Sequence, residues 1–178
     1  VEGTVNVFEA ARLRGVRKLV AASSSSVYGA NAKLPFSESD PIFQPISPYA
    51  ASKLACEALG HVYHHIYGMD VTMLRFFTVY GPRQRPDLAI FKFARQILAG
   101  RPITVFGDGS TARDYTYVDD IVAGIVGCLD RPPPGGEPRV LNIGNHRAEA
   151  VGTLVDLLEV MRKLKARNLD LVVVRFSF

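Results

Sequence analysis

Four short apolar runs set the frame of this chain: KLVAAS (18–23), VTMLRFF (71–77), ITVFG (103–107) and VLNIG (140–144). Between each consecutive pair lies a stretch with apolar residues at helical spacing, over 48–67, 87–99 and 118–130. Further helices are predicted over 2–14 and 150–165, and Gly15, Gly68 and Gly100 stand where helices should stop. Strands that alternate with helices are joined by crossovers, and crossovers make parallel pairs. The expectation is therefore an α/β fold with a mostly parallel sheet, its strands at 18–23 and 71–77 buried. The acidic start of 118–130 suits the positive end of a helix. Residues 29–47 read as a loop rich in Pro, Ser and Asp, and RPPPGGEPR (131–139) as a rigid polar connector. LDLVVVRF (169–176) is a last β-like run, and no internal repeat is visible.

With 178 residues, 48% of them hydrophobic, the chain can bury a core. No run approaches the ~18 apolar residues of a membrane span. The net charge of +4 comes mostly from basic residues scattered among acids. The densest cluster, Arg162, Lys163, Lys165 and Arg167, reads as a solvated helix face, so no nucleic-acid partner is expected. Cys56 and Cys128 are isolated and read as two buried thiols in a reducing cytoplasm. His61, His64 and His65 share one helix, but a third metal ligand in a recognised pattern is lacking, so no metal is expected. The chain starts with Val1, already inside a helical pattern, which suggests a piece of something longer.

The chemistry concentrates in SPYAASK (47–53). Ser47 is a good N-cap and Pro48 suits the first helical position. Tyr49 and Lys53 then fall one turn apart on one face. A free phenol loses its proton near pH ~10. A helix N-terminus and a neighbouring ammonium both favour the phenolate. Such a tyrosine can serve as a base near neutral pH. The strand at 18–23 empties into Ser23–Ser26, and the carboxyl end of a parallel strand is where ligands meet hydroxyls.

These residues resemble the extended short-chain dehydrogenase/reductase family, in its branch of NAD-dependent nucleotide-sugar epimerases and dehydratases. The resemblance rests on SSSSVYG (23–29), LPFSESDP (34–41), SPYAASK (47–53), LRFFTVYGPRQRPD (74–87), ITVFGDGSTARDYTYVDDI (103–121) and LNIGN (141–145), in the family's order. It implies a partial Rossmann-type, doubly wound parallel sheet plus part of a small substrate-binding domain. Residues 1–80 and 116–145 would belong to the first, and 81–115 and 146–178 to the second. It implies Tyr49 as catalytic base, Lys53 as the partner that binds the nicotinamide ribose, and Ser24 as the hydroxyl on the reacting oxygen, with Ser25 beside it. Phe77 would contact the nicotinamide end of NAD. Phe106 and Arg113 would hold the uridine and the diphosphate of a UDP-sugar, where an Arg suits paired charged hydrogen bonds.

Within the branch, LRFFTVYGPRQRPD is most similar to the segment of UDP-glucuronate 4-epimerases, where Thr78 and Arg85 would hold the sugar carboxylate. Tyr49 would take the 4-hydroxyl proton as NAD takes hydride from C4, and hydride would return to the other face of the rotated ketone. A UDP-glucose 4-epimerase, a dehydratase, a decarboxylase or a non-catalytic homologue remain the alternatives. The Gly-rich turn of the family is not found; Gly107-Asp108-Gly109 precedes no suitable helix. A first βαβαβ half is expected before Val1. The chain by itself is accordingly expected to bind NAD weakly and not to turn over. The resemblance also implies a homodimer built on the helices at 2–14 and 48–67.

Overall fold

The computed structural model describes residues 1–131 and 138–166. The run at 169–176, Arg167 and most of the connector at 131–139 lie outside the described residues. In order, the elements are α1 (Glu2–Leu13), β1 (Lys18–Ala22), a 3-10 turn (Ser25–Tyr28), α2 (Pro48–Tyr67), β2 (Asp70–Phe76), β3 (Thr78–Tyr80) and α3 (Ala89–Leu98). There follow β4 (Ala112–Tyr117), α4 (Val118–Asp130), β5 (Arg139–Ile143), β6 (Ala148–Ala150) and α5 (Val151–Lys165). The chain divides into two compact units. One holds Val1–Phe77 and Ile121–Ile143; the other holds Thr78–Asp120 and the described residues from Gly144 on.

The first unit is built on a parallel sheet of order β1-β2-β5, as the alternating pattern predicts. Lys18–Ala22 lie opposite Asp70–Leu74, and Thr72–Phe76 opposite Arg139–Ile143. β2 is the central strand, and five of its seven residues are buried. β1 departs from expectation. It is half-exposed rather than buried, because among the described residues it has β2 as its one neighbour. α2 lies close on β2. A side chain at Gly60 would come within 3.1 Å of Val71 and 3.2 Å of Met73, so the approach needs a residue without Cβ. Phe8, Cys56, Tyr63, Met69, Val71 and Met73 form the core, with Phe8 edge-on to Tyr63 at 5.3 Å. Cys56 is buried against the Thr4 hydroxyl at 3.1 Å, whereas Cys128 is only half-buried, contrary to expectation.

The second unit carries a mixed sheet of order β3-β4-β6, with β3 parallel and β6 antiparallel to β4. Its core is Tyr80, Phe93, Ile97, Tyr115, Leu154 and Leu158, supplied by α3, α5 and the sheet. The run at 103–107 is not a strand. Ile103 and Val105 pack on this core while Thr104 and Phe106 face out, so the side chains alternate as in a strand. What is lacking is a ladder: no described strand pairs with it. No helix among the described residues is long and apolar enough to cross a membrane.

Candidate active site

α2 begins as its sequence dictates. The Ser47 hydroxyl accepts from the Ala50 N–H at 3.0 Å, and Pro48 occupies the first turn. Tyr49, Lys53 and Glu57 follow at four-residue spacing and share one helix face. Lys53 Nζ donates to the Ala22 carbonyl at 2.9 Å, which ties that face to the carboxyl end of β1. The same ammonium stands 5.8 Å from the centroid of the Tyr49 ring. Tyr49 is 55% exposed. Two residues beyond the end of β1, Ser24 caps the 3-10 turn; its hydroxyl accepts from the Ser26 N–H at 3.2 Å and the Ser26 hydroxyl at 2.8 Å. Ser25 opens the turn and is half-buried. Among the described residues no hydrogen bond joins Ser24 to Tyr49.

Beneath this face lies a buried polar network. Ser23 donates to Glu57 Oε1 at 2.5 Å. Arg75, from the middle of β2, grips the same carboxylate with both arms: Nε to Oε1 at 2.9 Å and Nη2 to Oε2 at 2.8 Å. Arg75 is 2% exposed and Glu57 8%. Arg75 Nη1 donates to the Tyr28 hydroxyl at 3.0 Å, which donates onward to Asn142 Oδ1 at 2.6 Å. Asn142 on β5 closes the circuit, its amide donating to the Phe36 carbonyl at 3.2 Å and its N–H to Glu38 at 2.8 Å. Burial opposes the charge on Arg75, but hydrogen bonds with Glu57 and Tyr28 outweigh it and hold the guanidinium above its usual range. Arg75 is not among the residues that the sequence motifs single out. The available signal was an arginine inside the apolar run VTMLRFF, which a buried strand tolerates only with a partner.

Phe77 is half-buried after β2, its N–H donating to the Ile143 carbonyl at 3.3 Å and its ring 6.4 Å from Phe36. The other expected substrate residues belong to the second unit. Thr78 opens β3 opposite Tyr115 of β4, and Arg113 stands earlier on β4, exposed, with Nη1 donating to the Ala112 carbonyl at 2.9 Å. Arg85 is exposed in a loop and holds the Asp87 carboxylate at 3.1 and 2.9 Å. Phe106 is 83% exposed. Thr78 and Arg113 thus share neighbouring strands, while Arg85 and Phe106 sit on loops. Beside Arg113, Asp114 accepts from the Thr116 hydroxyl and the Asn145 N–H, both at 2.8 Å. A side chain at Gly144 would lie 2.8 Å from that carboxylate, which explains the Gly of LNIGN.

Known proteins supply the context for this geometry. UDP-glucuronate 4-epimerase 5 of Arabidopsis thaliana is 48% identical over 94% of this chain and 42% of its own length. An uncharacterised protein of Methanocaldococcus jannaschii is 46% identical over 93% of this chain and 50% of its own. Among solved structures, UDP-glucuronic acid 4-epimerase of Bacillus cereus, bound to UDP-4-deoxy-4-fluoro-glucuronic acid and NAD, superposes with a TM-score of 0.83 at 37% identity. The match covers 92% of this chain and 51% of that one. UDP-glucose 4-epimerase of Thermotoga maritima matches with the same score at 33% identity, over 90% and 52%. The chain therefore spans about half the length of the relatives it matches. Its residues 1–144 match one family profile throughout, and on that ground the chain belongs to the NAD dependent epimerase/dehydratase family.

Proposed function

We propose that the intact protein is an NAD-dependent 4-epimerase that interconverts UDP-glucuronate and UDP-galacturonate. The observation that carries this reading is the face of α2, where exposed Tyr49 stands next to a lysine anchored on the end of β1, beside Ser24. Relatives named UDP-glucuronate 4-epimerase at 48% identity support the choice of sugar. The residues present fit the nicotinamide-ribose end of NAD. An ammonium has three N–H donors, and Lys53 uses one on Ala22, leaving the others for ribose hydroxyls. Phe77 would line the same end. Bound NAD supplies reversible hydride removal at the sugar C4.

The side chains then divide the work. Tyr49 takes the 4-hydroxyl proton and later returns it to the same oxygen. Ser24 donates to that oxygen and, with Ser25, holds it in place. Phe106 and Arg113 take the uridine and the diphosphate. Arg85 already holds a carboxylate with two nitrogens, that of Asp87, and the sugar carboxylate would take the same fork with Thr78 donating alongside. Exposed apolar side chains on α1 (Val7) and α2 (Val62, Ile66) support a homodimer through these helices, which sedimentation of the full-length protein would test.

Arg85→Ala in a full-length form separates the sugars. Losing a charged hydrogen-bonding partner should lower kcat/KM for UDP-glucuronate by roughly 10- to 100-fold. UDP-glucose, which has no carboxylate, should be little affected. Equal losses on both substrates would remove the carboxylate assignment and leave an epimerase of neutral sugars.

A further inference from the structure

We propose that the buried Glu57–Arg75 ion pair is a positioning pair that locks the Tyr49–Lys53 face of α2 against the Ser23–Ser24 segment that follows β1. The proposal rests on the reading of Tyr49 and Ser24 as the reacting groups.

Three observations lead to it. Glu57 continues the helical row of Tyr49 and Lys53, so whatever holds Glu57 fixes the rotation of α2 about its axis. Two successive members of the row grip two successive residues where β1 ends: Lys53 the carbonyl of its last residue, Ala22, and Glu57 the hydroxyl of Ser23, which follows it. Ser24 follows Ser23 in the chain, and Tyr49 precedes Lys53 in the row. A slip of α2 by one residue would break both grips together.

Arg75 is the second half of the lock. It rises from the central strand, the most buried element of the first unit, and fixes both carboxylate oxygens of Glu57. Its remaining arm holds the Tyr28 hydroxyl, and Tyr28 ends the turn that Ser24 caps. The Tyr28 ring stacks on Phe36 at 4.4 Å with Arg75 Cζ 4.8 Å from its centroid, so the turn is pinned from two sides. One guanidinium therefore references both the helix that bears Tyr49 and the turn that bears Ser24 to a single strand. Stability alone is a weak reason to bury these charges. Taking two ions out of water costs several kcal/mol each, and an apolar pair of similar volume often does as well or better. A directional fork gives what an apolar pair cannot, a fixed angle and register.

The test uses a full-length form with UDP-glucuronate as substrate. Glu57→Leu with Arg75→Leu removes both charges together, leaving neither buried alone. Its melting temperature should stay near that of the parent, while kcat falls on the order of 10²-fold, the effect of a misplacement near 1 Å. KM should change little, because Phe106 and Arg113 are untouched. Ser23→Ala is the milder probe: it breaks only the tie between Glu57 and the residue that follows β1, and should lower kcat about tenfold at constant KM. Parental kcat in the double variant, or in Ser23→Ala should the double variant not fold, overturns the proposal. A rise in KM at unchanged kcat overturns it as well. Tyr49→Phe is measured alongside. If that variant retains the parental rate, the assignment of the reacting groups fails and the proposal with it; if it is inactive while the other variants are not, only the positioning role fails.

Discussion

The two units hold their candidate residues in opposite ways. In the first, Ser24, Tyr49 and Lys53 stand beside a hydrogen-bonded network of buried Ser23, Glu57, Arg75 and Tyr28 with half-buried Asn142. In the second, Arg85, Phe106 and Arg113 are exposed, and the two arginines bond to near neighbours in sequence, Arg85 to Asp87 and Arg113 to the Ala112 carbonyl. Proton transfer fails when donor and acceptor are displaced by an ångström, so its groups need a rigid support. Groups proposed to grasp a flexible diphosphate sugar can adjust to it, and the long arginine side chains suit that task. The difference predicts that damage to the first unit appears in kcat, and damage to the second in KM.

The sharpest way to break this division is to compare one tyrosine with one phenylalanine. Tyr49→Phe removes the hydroxyl proposed to carry the proton and should lower kcat by roughly 10²- to 10⁴-fold. Phe106→Ala removes an exposed ring from the proposed uridine side and should raise KM for the UDP-sugar with kcat nearly intact. Steady-state kinetics on a full-length form checks both. A collapse of kcat in Phe106→Ala would mean that the second unit also positions the reacting carbon.

Two arginines make the same contrast in stability. Arg75→Met leaves the Glu57 carboxylate buried and unpaired, which should cost about 3–5 kcal/mol in chemical denaturation followed by circular dichroism. Arg85→Met breaks an exposed pair between side chains 73% and 66% accessible, and the change should stay within about 0.5 kcal/mol. Similar losses for the two would show that the exposed loop is held far more firmly than its contacts imply.

How much of this was legible beforehand follows the same line. Helix caps and hydrophobic period are local, so α1, α2, α4 and α5 were readable to within a residue or two from Ser47, Pro48, Gly15 and Gly68. So were β2 and β5, readable from the short apolar runs at 71–77 and 140–144, although β5 is half-buried where β2 is buried. β4 was not: ARDYTY is polar, and it is a strand because Thr78–Tyr80 and Ala148–Ala150 pair with it from afar. The reverse error occurred at 103–107, where side-chain alternation exists without a ladder. The row of Tyr49 and Lys53 was visible in sequence, since four-residue spacing is a local property. Its extension to Glu57 and the partner Arg75 was hidden, because the ion pair closes across 18 residues and two elements.

The smallest effect lies at the rim of the network, in the loop over 29–47 that supplies Phe36 and Glu38 to Asn142. Asp40 is buried there, joined to Lys33 and accepting from the Ser37 N–H at 2.8 Å and from Asn31 at 3.3 Å. The Lys33 ammonium, and after it the Ser37 N–H, hold the Asp40 carboxyl below its ordinary range, burial acting the other way. A carboxyl with a lowered folded pKa stabilises the fold above its unfolded value, near pH ~3.9, and that contribution is lost as the pH falls through the folded value. Amide exchange at Ser37, corrected for its intrinsic pH dependence, should therefore stay slow from pH ~6 to ~4 and quicken below. Exchange at the buried β2 amides should not quicken over the same window. Asp40→Asn should remove the step at Ser37 while leaving β2 protected. If Ser37 and β2 loosen together in the parent, the loop is not a separable rim, and the anchored side of the site is one cooperative block reaching from Arg75 to the surface.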